Sequence, residues 1–185
     1  MIGVSSRFLS GTILAVFLMS QWIALEQRVQ AIEQKDKNKN IEIVGVVLKE
    51  NENIKETIGK IAMQLGVDIK DVESAWRVGR AVPGRRPPPI VVRLRQEAAR
   101  DFWMGKRGLL RTNKVLFPEE PDTPIYVNED LTRYNRELLW NTKQSLRGIF
   151  KYIWVKKGRI LCKKGDDSKT IHITTRADLE ALAKP

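Results

Sequence analysis

Between residues 41 and 130, short segments rich in β-branched and aromatic residues alternate with amphipathic segments in the order β-α-β-β-α-β. Period and composition predict strands at 41–48, 72–80, 90–95 and 125–128. Apolar residues at helical spacing predict helices at 54–65 and 96–110, the first capped by Asn51 or Asn53 and ended by Gly66. This is the split βαβ pattern of ferredoxin-like domains, RNA-recognition motifs among them. Such a domain packs two helices on one face of a four-stranded sheet and leaves the other face free for a ligand.

A second, smaller pattern occupies residues 131–185. Apolar spacing predicts a helix at 132–148, and two strands at 152–156 and 159–163 are joined by Lys157-Gly158, a dipeptide typical of two-residue hairpins. A third strand at 169–174 precedes a helix at 176–183, which Thr175 and Asp178 begin in a pattern similar to a capping box. The order α-β-β-β-α predicts a separate C-terminal domain. We therefore expect an α+β protein with folded domains at 41–130 and 131–185.

Residues 1–34 carry two overlapping apolar patterns. Residues 8–25 form a mostly apolar stretch of 18 residues after a basic residue, at the lower limit for a transmembrane helix. The same region repeats apolar side chains in steps of three and four, which favours a coiled-coil seam formed by Ala15, Leu18, Trp22, Leu25, Val29 and Ile32. A truncated coiled coil for self-association, a membrane anchor and a signal peptide are the alternatives. The polar residues 35–40 are predicted to be a linker.

The excess of positive charge indicates the class of partner. The chain has 33 lysines and arginines against 22 acidic residues, a formal net charge of +11. Residues 75–114 contain eleven basic residues and two acidic ones. A field of one sign is costly unless a polyanion neutralises it, so we expect nucleic acid to bind. Anionic lipid headgroups are the alternative polyanion.

The sequence contains no residue set typical of an enzyme. It has one cysteine, Cys162, and one histidine, His172, so neither an internal disulfide nor a Cys/His zinc site can form. It also lacks a glycine-rich phosphate loop and an acidic cluster of the kind that holds two metal ions. We expect a non-enzymatic protein with no catalytic residues, no metal and no other cofactor.

Alternation along the predicted strands assigns basic side chains to the outer face of the first sheet. Arg93 and Arg95 point outward from the third strand. In the second strand we expect Trp76 to face the helices and Arg77 to point outward, with a pair between Glu42 and one of these arginines as the alternative. Together with the adjoining loop and helix, the predicted nucleic-acid-binding residues of this domain are Arg77, Arg80, Arg85, Arg86, Arg93, Arg95, Lys106, Arg107 and Arg111.

The C-terminal domain repeats the combination of cations and aromatic rings. Residues 143–164 include eight basic residues and no acidic one. Alternation places Tyr152 and Trp154 on one strand face with Lys156, and rings beside cations suit unpaired bases and their phosphates. Packing of Trp154 on the preceding helix is the alternative. The predicted binding residues of this domain are Lys143, Arg147, Lys151, Tyr152, Lys156, Lys157 and Arg159.

Short motifs in a fixed order resemble the baculovirus FP protein family, which includes insect proteins derived from retrotransposons. The motifs are Leu25-Glu26-Gln27-Arg28-Val29, 40–46, Val78-Gly79-Arg80, 86–92, 126–132 and 152–161. The layout is also similar to the first open-reading-frame protein of LINE-type retrotransposons. The resemblance implies oligomerisation through the coil, binding of single-stranded nucleic acid by both domains, and no catalysis. The family-like basic positions are Arg77, Arg80, Arg93, Lys156, Lys157 and Arg159.

The chain departs from an ordinary RNA-recognition motif in its aromatic residues. The first and third predicted strands, IEIVGV and IVVRL, lack the rings on which such motifs stack bases. We therefore expect mainly electrostatic binding of RNA or DNA with little sequence preference, in the nucleus and/or the cytoplasm. The alternative function is a membrane-anchored structural or trafficking factor that uses residues 8–25.

Overall fold

A long helix, α1 (Ser5–Lys37), begins the part of the chain that the computed structural model describes: residues 5–183, with side chains from residue 14 onward. The chain divides into two compact units, Met1–Asp36 and Lys37–Pro185. The segment expected as a linker is shorter than predicted, because residues 35–37 continue α1 and Asn40 already begins the first strand. Lysine is a good helix former, so polar composition alone does not end a helix.

The large apolar side chains of α1 are exposed within its own unit. They include the predicted seam residues Leu18, Trp22, Leu25, Val29 and Ile32. Among the described residues, no helix combines the length and the apolar character needed to cross a bilayer. The membrane-anchor alternative is therefore not supported over 14–25, and the side chains of residues 8–13 lie outside the described part.

The larger unit begins with a four-stranded antiparallel sheet. Its elements are β1 (Asn40–Val44), α2 (Ile54–Leu65), β2 (Val72–Arg77), β3 (Ile90–Leu94), α3 (Glu97–Lys106) and β4 (Tyr126–Glu129). The strands lie side by side in the order β2-β3-β1-β4. The order of elements along the chain is the predicted one, although β1 ends at Val44 because Gly45 turns the backbone with a φ of 94°.

Helices α2 and α3 cover one face of this sheet. Ile41 and Ile43 from β1 pack with Ile58 and Ile61 from α2 and with Trp103 from α3 in a fully buried core. Local signals define α2, since the Asn53 side chain accepts the backbone N–H groups of Lys55 and Glu56, and Gly66 ends the helix with a left-handed φ of 63°. These ends confirm the predicted Asn53 cap and the predicted Gly66 stop.

The outer face of the sheet differs from the prediction by one residue in β2. A register shift between Val72 and Ser74 inserts one extra residue, so Arg77 lies opposite Ile90 and Trp76 lies opposite Val91. Because a bulge of one residue moves every following side chain to the other face, Trp76 points outward and Arg77 points to the helix side. The prediction for Trp76 and Arg77 was therefore wrong, whereas Val91 and Arg93 lie on the outer face as expected.

The C-terminal half has its own sheet and its own core. Helix α4 (Arg133–Ser145) is followed by β5 (Tyr152–Lys156), β6 (Arg159–Lys163), β7 (Ile171–Ile173) and α5 (Arg176–Ala183), with the strands in the order β5-β6-β7. Leu138, Leu146, Ile160 and Cys162 are among its buried residues. The predicted hairpin turn forms at Lys157 and Gly158, both at positive φ, as a type I′ turn requires.

The predicted capping box at the start of α5 is present. The Asp178 backbone N–H donates to Thr175 Oγ1 at 3.1 Å, and the Thr175 backbone N–H donates to Asp178 Oδ2 at 2.9 Å. The Asp178 carboxylate also accepts the Thr174 hydroxyl at 2.6 Å. These hydrogen bonds, with the Thr174 hydroxyl first, lower the pKa of Asp178 below its usual value.

Candidate nucleic-acid interface

A groove of about 770 Å³ runs between α3 and β4 on one side and α4 and β5 on the other. Cationic side chains line it from both halves of the larger unit: Arg107 follows α3, Lys143 lies on α4, and Lys156 and Lys157 lie at the end of β5. The half-buried Trp154 of β5 also lines the groove. The structure therefore brings together four of the cations predicted from the sequence, beside one aromatic ring.

Two of these cations have no carboxylate partner. The ammonium groups of Lys143 and Lys156 form no ion pair with any residue of the described part, and both side chains are exposed. Arg107 donates from Nη1 to the Met104 carbonyl oxygen at 3.1 Å and keeps its other N–H groups for a ligand. These three side chains can therefore donate to phosphate oxygens without first breaking an ion pair.

A carboxylate at the end of β4 joins the two halves at the edge of the groove. Glu129 accepts the backbone N–H groups of Lys157 at 2.9 Å and of Gly158 at 2.6 Å, both in the β5–β6 turn. The buried Arg100 donates from Nη2 to the same carboxylate at 3.2 Å. The side chain of Glu129 is 8% exposed, so this contact lies in a low-dielectric environment where charged hydrogen bonds are strong.

Two ion pairs also connect the halves. Arg136 on α4 contacts Glu42 on β1 with Nη1 and Oε1 3.1 Å apart. The Lys157 ammonium lies 3.2 Å from Asp101 Oδ2 on α3. In both pairs the carboxylate belongs to the N-terminal half and the cation to the C-terminal half. These contacts between opposite charges connect the two walls of the groove.

Arg136 was missed by the sequence analysis. It lies seven residues before Lys143 on α4, two helical turns away on the same face, and both residues line the groove. Helical spacing could have identified it as a neighbour of Lys143. Its partner Glu42 was considered only as a partner for the arginines of the sheet itself.

Arg77 proves to be a structural residue. Its Nε and Nη2 donate to the two carboxylate oxygens of Glu52, each at 2.7 Å. Its Nη1 donates to the carbonyl oxygens of Pro88 at 2.6 Å and Val46 at 3.2 Å, and Nη2 donates to Val47 at 2.8 Å. All five guanidinium N–H groups are therefore used within the protein, and the side chain is only 11% exposed. No donor is left for a phosphate, so Arg77 is no longer a candidate nucleic-acid-binding residue.

The other predicted cations of the sheet and its loop lie away from the groove. Arg80, Arg85 and Arg86 are exposed on the 78–89 loop and form no ion pair within residues 14–183. Arg93 approaches Glu73 at 3.8 Å, and Arg95 donates from Nε to the Lys70 carbonyl oxygen at 3.0 Å. The arginines of this loop are thus more available to an anion than Arg93 of β3 and Arg95, which follows that strand.

Of the three predicted cations in and after α3, only Arg107 lines the groove. The Lys106 ammonium lies 5.6 Å from the centre of the Phe102 ring, and Arg111 donates from Nε to the Gly108 carbonyl oxygen at 3.0 Å. Neither residue lines the groove, in contrast to the adjacent Arg107.

In the C-terminal half, Asp166 contacts two of the predicted binding residues, Lys151 and Tyr152. Asp166 pairs with the Lys151 ammonium at 2.5 Å and accepts the Tyr152 hydroxyl at 2.6 Å. The hydrogen bond to Lys151 lowers the pKa of Asp166, and the same bond raises the pKa of Lys151. Arg147 and Arg159 are exposed but do not line the groove. The groove-lining cations are therefore a subset of those predicted.

The motif at 126–132 explains why this joint forms. Glu129 holds the hairpin turn, and the adjacent Asp130 accepts the Asn40 side-chain amide at 2.9 Å. Thr132 caps α4 by accepting the Asn135 backbone N–H at 3.2 Å. Three consecutive functions, joining the halves, fixing β1 and starting α4, are thus encoded within four residues.

Two segments of the chain match the sequence models of known domains. Residues 38–122 match Baculovirus FP protein domain 1, and residues 132–183 match Baculovirus FP protein domain 2. The chain is also similar to the FP protein of Lymantria dispar multicapsid nuclear polyhedrosis virus, with 24% identity over 163 residues. That alignment covers 86% of this chain and 71% of the viral protein.

Proposed function

Because the chain belongs to the baculovirus FP protein family, as its motifs predicted, we propose that it is a non-enzymatic protein that binds single-stranded RNA or DNA in the groove between its two folded halves. The observation that carries this proposal is the convergence of Arg107, Lys143 and Lys156 on one groove, where none of them forms an ion pair with a residue of the described chain. The carboxylates that also line the groove, Glu42, Asp101 and Glu129, pair with Arg136, Lys157 and Arg100. Their cationic groups neutralise successive phosphates and release counterions, which favours binding without reading the sequence.

Trp154 supports a single strand as the ligand. The residue is half-buried and lines the groove, so part of its indole ring is accessible to a base. Bases of a single strand are free to stack on such a ring, whereas those of a duplex are already stacked on one another. The surrounding cations then follow the sugar-phosphate backbone.

The fold proposed for the first half is the ferredoxin-like arrangement. The β-α-β-β-α-β order, the central position of β3 and β1 in the sheet, and the packing of both helices on one face support it. In this arrangement the outer face of the sheet carries no helix of its own domain, and Glu42 and Asn128 of that face border the groove.

Self-association through α1 completes the proposal. Leu18, Trp22, Leu25, Val29 and Ile32 are large apolar side chains at alternating steps of three and four, and all are exposed. Burying such a seam against another copy removes apolar surface from water. An oligomer would place several grooves on one strand and increase avidity. We place this activity in the nucleus and/or the cytoplasm.

Fluorescence anisotropy with a labelled single strand tests the groove. Each exposed cation contributes about 1 kcal/mol at about 4 Å from a phosphate in water, so Lys143→Ala with Lys156→Ala should weaken binding about 30-fold. Lys55→Ala with Lys169→Ala is the matched control, since both lysines are exposed and do not line the groove. Equal affinity for the two double variants, or no binding by the unmodified chain, would refute the proposal.

A further inference from the structure

We infer that Trp76 and the arginines of the 78–89 loop form a second contact for the same single strand, in which the indole ring stacks on an unpaired base. This inference rests on the proposed function and adds a second surface to it. Sequence alternation assigned Trp76 to the core; the register of β2 places it on the outer face, and the side chain is 41% exposed.

The position of Trp76 links it to the groove. Trp76, Val91, Glu42 and Asn128 lie directly opposite one another across the four strands. Glu42 and Asn128 line the groove, while Trp76 is on the far edge strand, β2. Val91 and Glu42 in the middle of this row are buried, so an extended ligand can contact the row only near its two edges.

The loop next to Trp76 supplies the cations that such a contact needs. Arg80, Arg85 and Arg86 lie on it, exposed and without an ion pair in the described chain. They can neutralise phosphates on either side of a base that is stacked on the indole. A lone exposed tryptophan is ordinary at a protein surface. Here the strand that carries it leads directly into a loop with three exposed arginines, unpaired within the described chain, a combination complementary to a polyanion that carries aromatic bases.

Arg77 stabilises the base of this loop but does not lie on the proposed contact surface. Its Nη1 donates to the Pro88 carbonyl oxygen at 2.6 Å, and the Val78 backbone N–H donates to Pro89 at 2.9 Å, so both bonds close the base of the loop. The pair with Glu52 fixes the guanidinium in place. A loop with a closed base and several prolines loses less entropy when it binds a ligand.

The spacing of the two contacts sets a length requirement. Three strand spacings separate Trp76 from Asn128, which is about 14 Å at about 4.8 Å per spacing. A strand with about 3.4 Å per stacked nucleotide needs about four nucleotides to cross this distance, in addition to those that occupy each contact. Longer strands should therefore gain affinity from binding both contacts at once.

Two labelled oligothymidylates, of about 6 and about 20 nucleotides, test this inference on the full chain by anisotropy. Trp76→Ala should weaken binding of the longer strand about tenfold and reduce its advantage over the shorter one, while Trp76→Phe, which keeps a ring, should lose less. Trp140→Ala is the matched control, because Trp140 is exposed on α4 and does not line the groove. The salt dependence of Trp76→Ala should equal that of the unmodified chain, since an indole neutralises no phosphate.

Other results would overturn the inference. If Trp76→Ala binds the longer strand as tightly as Trp140→Ala does, the indole contacts no base. An equal loss of affinity for duplex would show that the ring acts through the fold and not by stacking. Loss of binding to vesicles with anionic lipid, with strand binding intact, would assign the surface to membranes. In each of these cases the groove variants still weaken strand binding; if no strand binds at all, the proposed function fails first.

Discussion

Replacing Glu129 with alanine should weaken the contact between the two halves of the larger unit and so lower the free energy of unfolding. The carboxylate accepts two backbone N–H groups of the β5–β6 turn and the buried Arg100 guanidinium. Removing one partner of a buried ion pair costs about 3–5 kcal/mol, and hydrogen bonds to a charged group contribute about 1.5–3 kcal/mol each. Arg100 retains Asp101 at 2.7 Å, so we expect the free energy of unfolding to fall by about 3 kcal/mol, at the lower end of this range.

Urea unfolding of the full chain, followed by tryptophan fluorescence, measures this loss. Glu119→Ala is the control: Glu119 also contacts a lysine, Lys49, at 2.6 Å, but its side chain is 62% exposed. An ion pair this exposed to solvent contributes little to stability, so the control should stay close to the unmodified chain. Glu129→Gln should lie between them, because an amide oxygen still accepts from the turn while the NH₂ group opposes Arg100. Similar losses for Glu129→Ala and Glu119→Ala would refute this account of the joint.

Two further predictions concern stability. Gly45→Ala should destabilise the chain by about 1–3 kcal/mol, because the φ of Gly45 is 94° and a Cβ there would collide with the Pro124 carbonyl oxygen. Gly59→Ala, in α2, should stabilise the chain by up to about 1 kcal/mol, because a Cβ there meets open space and alanine favours a helix. Thermal unfolding of the two variants measures both effects. The Lys151 hydrogen bond lowers the pKa of Asp166, so its stabilisation is present above the ordinary aspartate pKa and lost as pH falls through the lowered value. Asp166→Asn should remove that acid-dependent loss from a pH series of urea midpoints.

Features set by neighbouring residues could be predicted from the sequence. The Asn53 cap, the Gly66 stop and the Lys157-Gly158 turn each depend on two to four consecutive residues, and all three occur as expected. The order of strands and helices followed for the same reason, since the period of apolar residues changes sharply between them.

Features set by distant residues could not be predicted in this way. The extra residue between Val72 and Ser74 is visible only once β2 is paired with β3, and it moves Trp76 outward. The Arg77 side chain was expected to be free because Glu52 lies 25 positions away, in the segment before α2. A count of charges along the chain detects a cationic protein, but it does not show which cations already have a partner.

The same limit applies to the groove. Arg107 and Lys143 lie 36 positions apart and line one groove because the two halves pack together, with Glu129 of β4 bound to the β5–β6 turn. The sequence identified both cations as candidates, together with several that the structure places elsewhere. The selection among them comes from the packing of one half on the other.

Binding of a single strand in this groove is best judged by its salt dependence. For single strands, the logarithm of the binding constant falls with the logarithm of salt concentration with a slope of about 0.7 per neutralised phosphate. Removing the ammonium groups of Lys143 and Lys156 should therefore reduce the magnitude of the slope by about 1.4, while Lys55→Ala with Lys169→Ala leaves it unchanged. An identical slope for both double variants, or binding that does not respond to salt, would contradict a phosphate-binding groove.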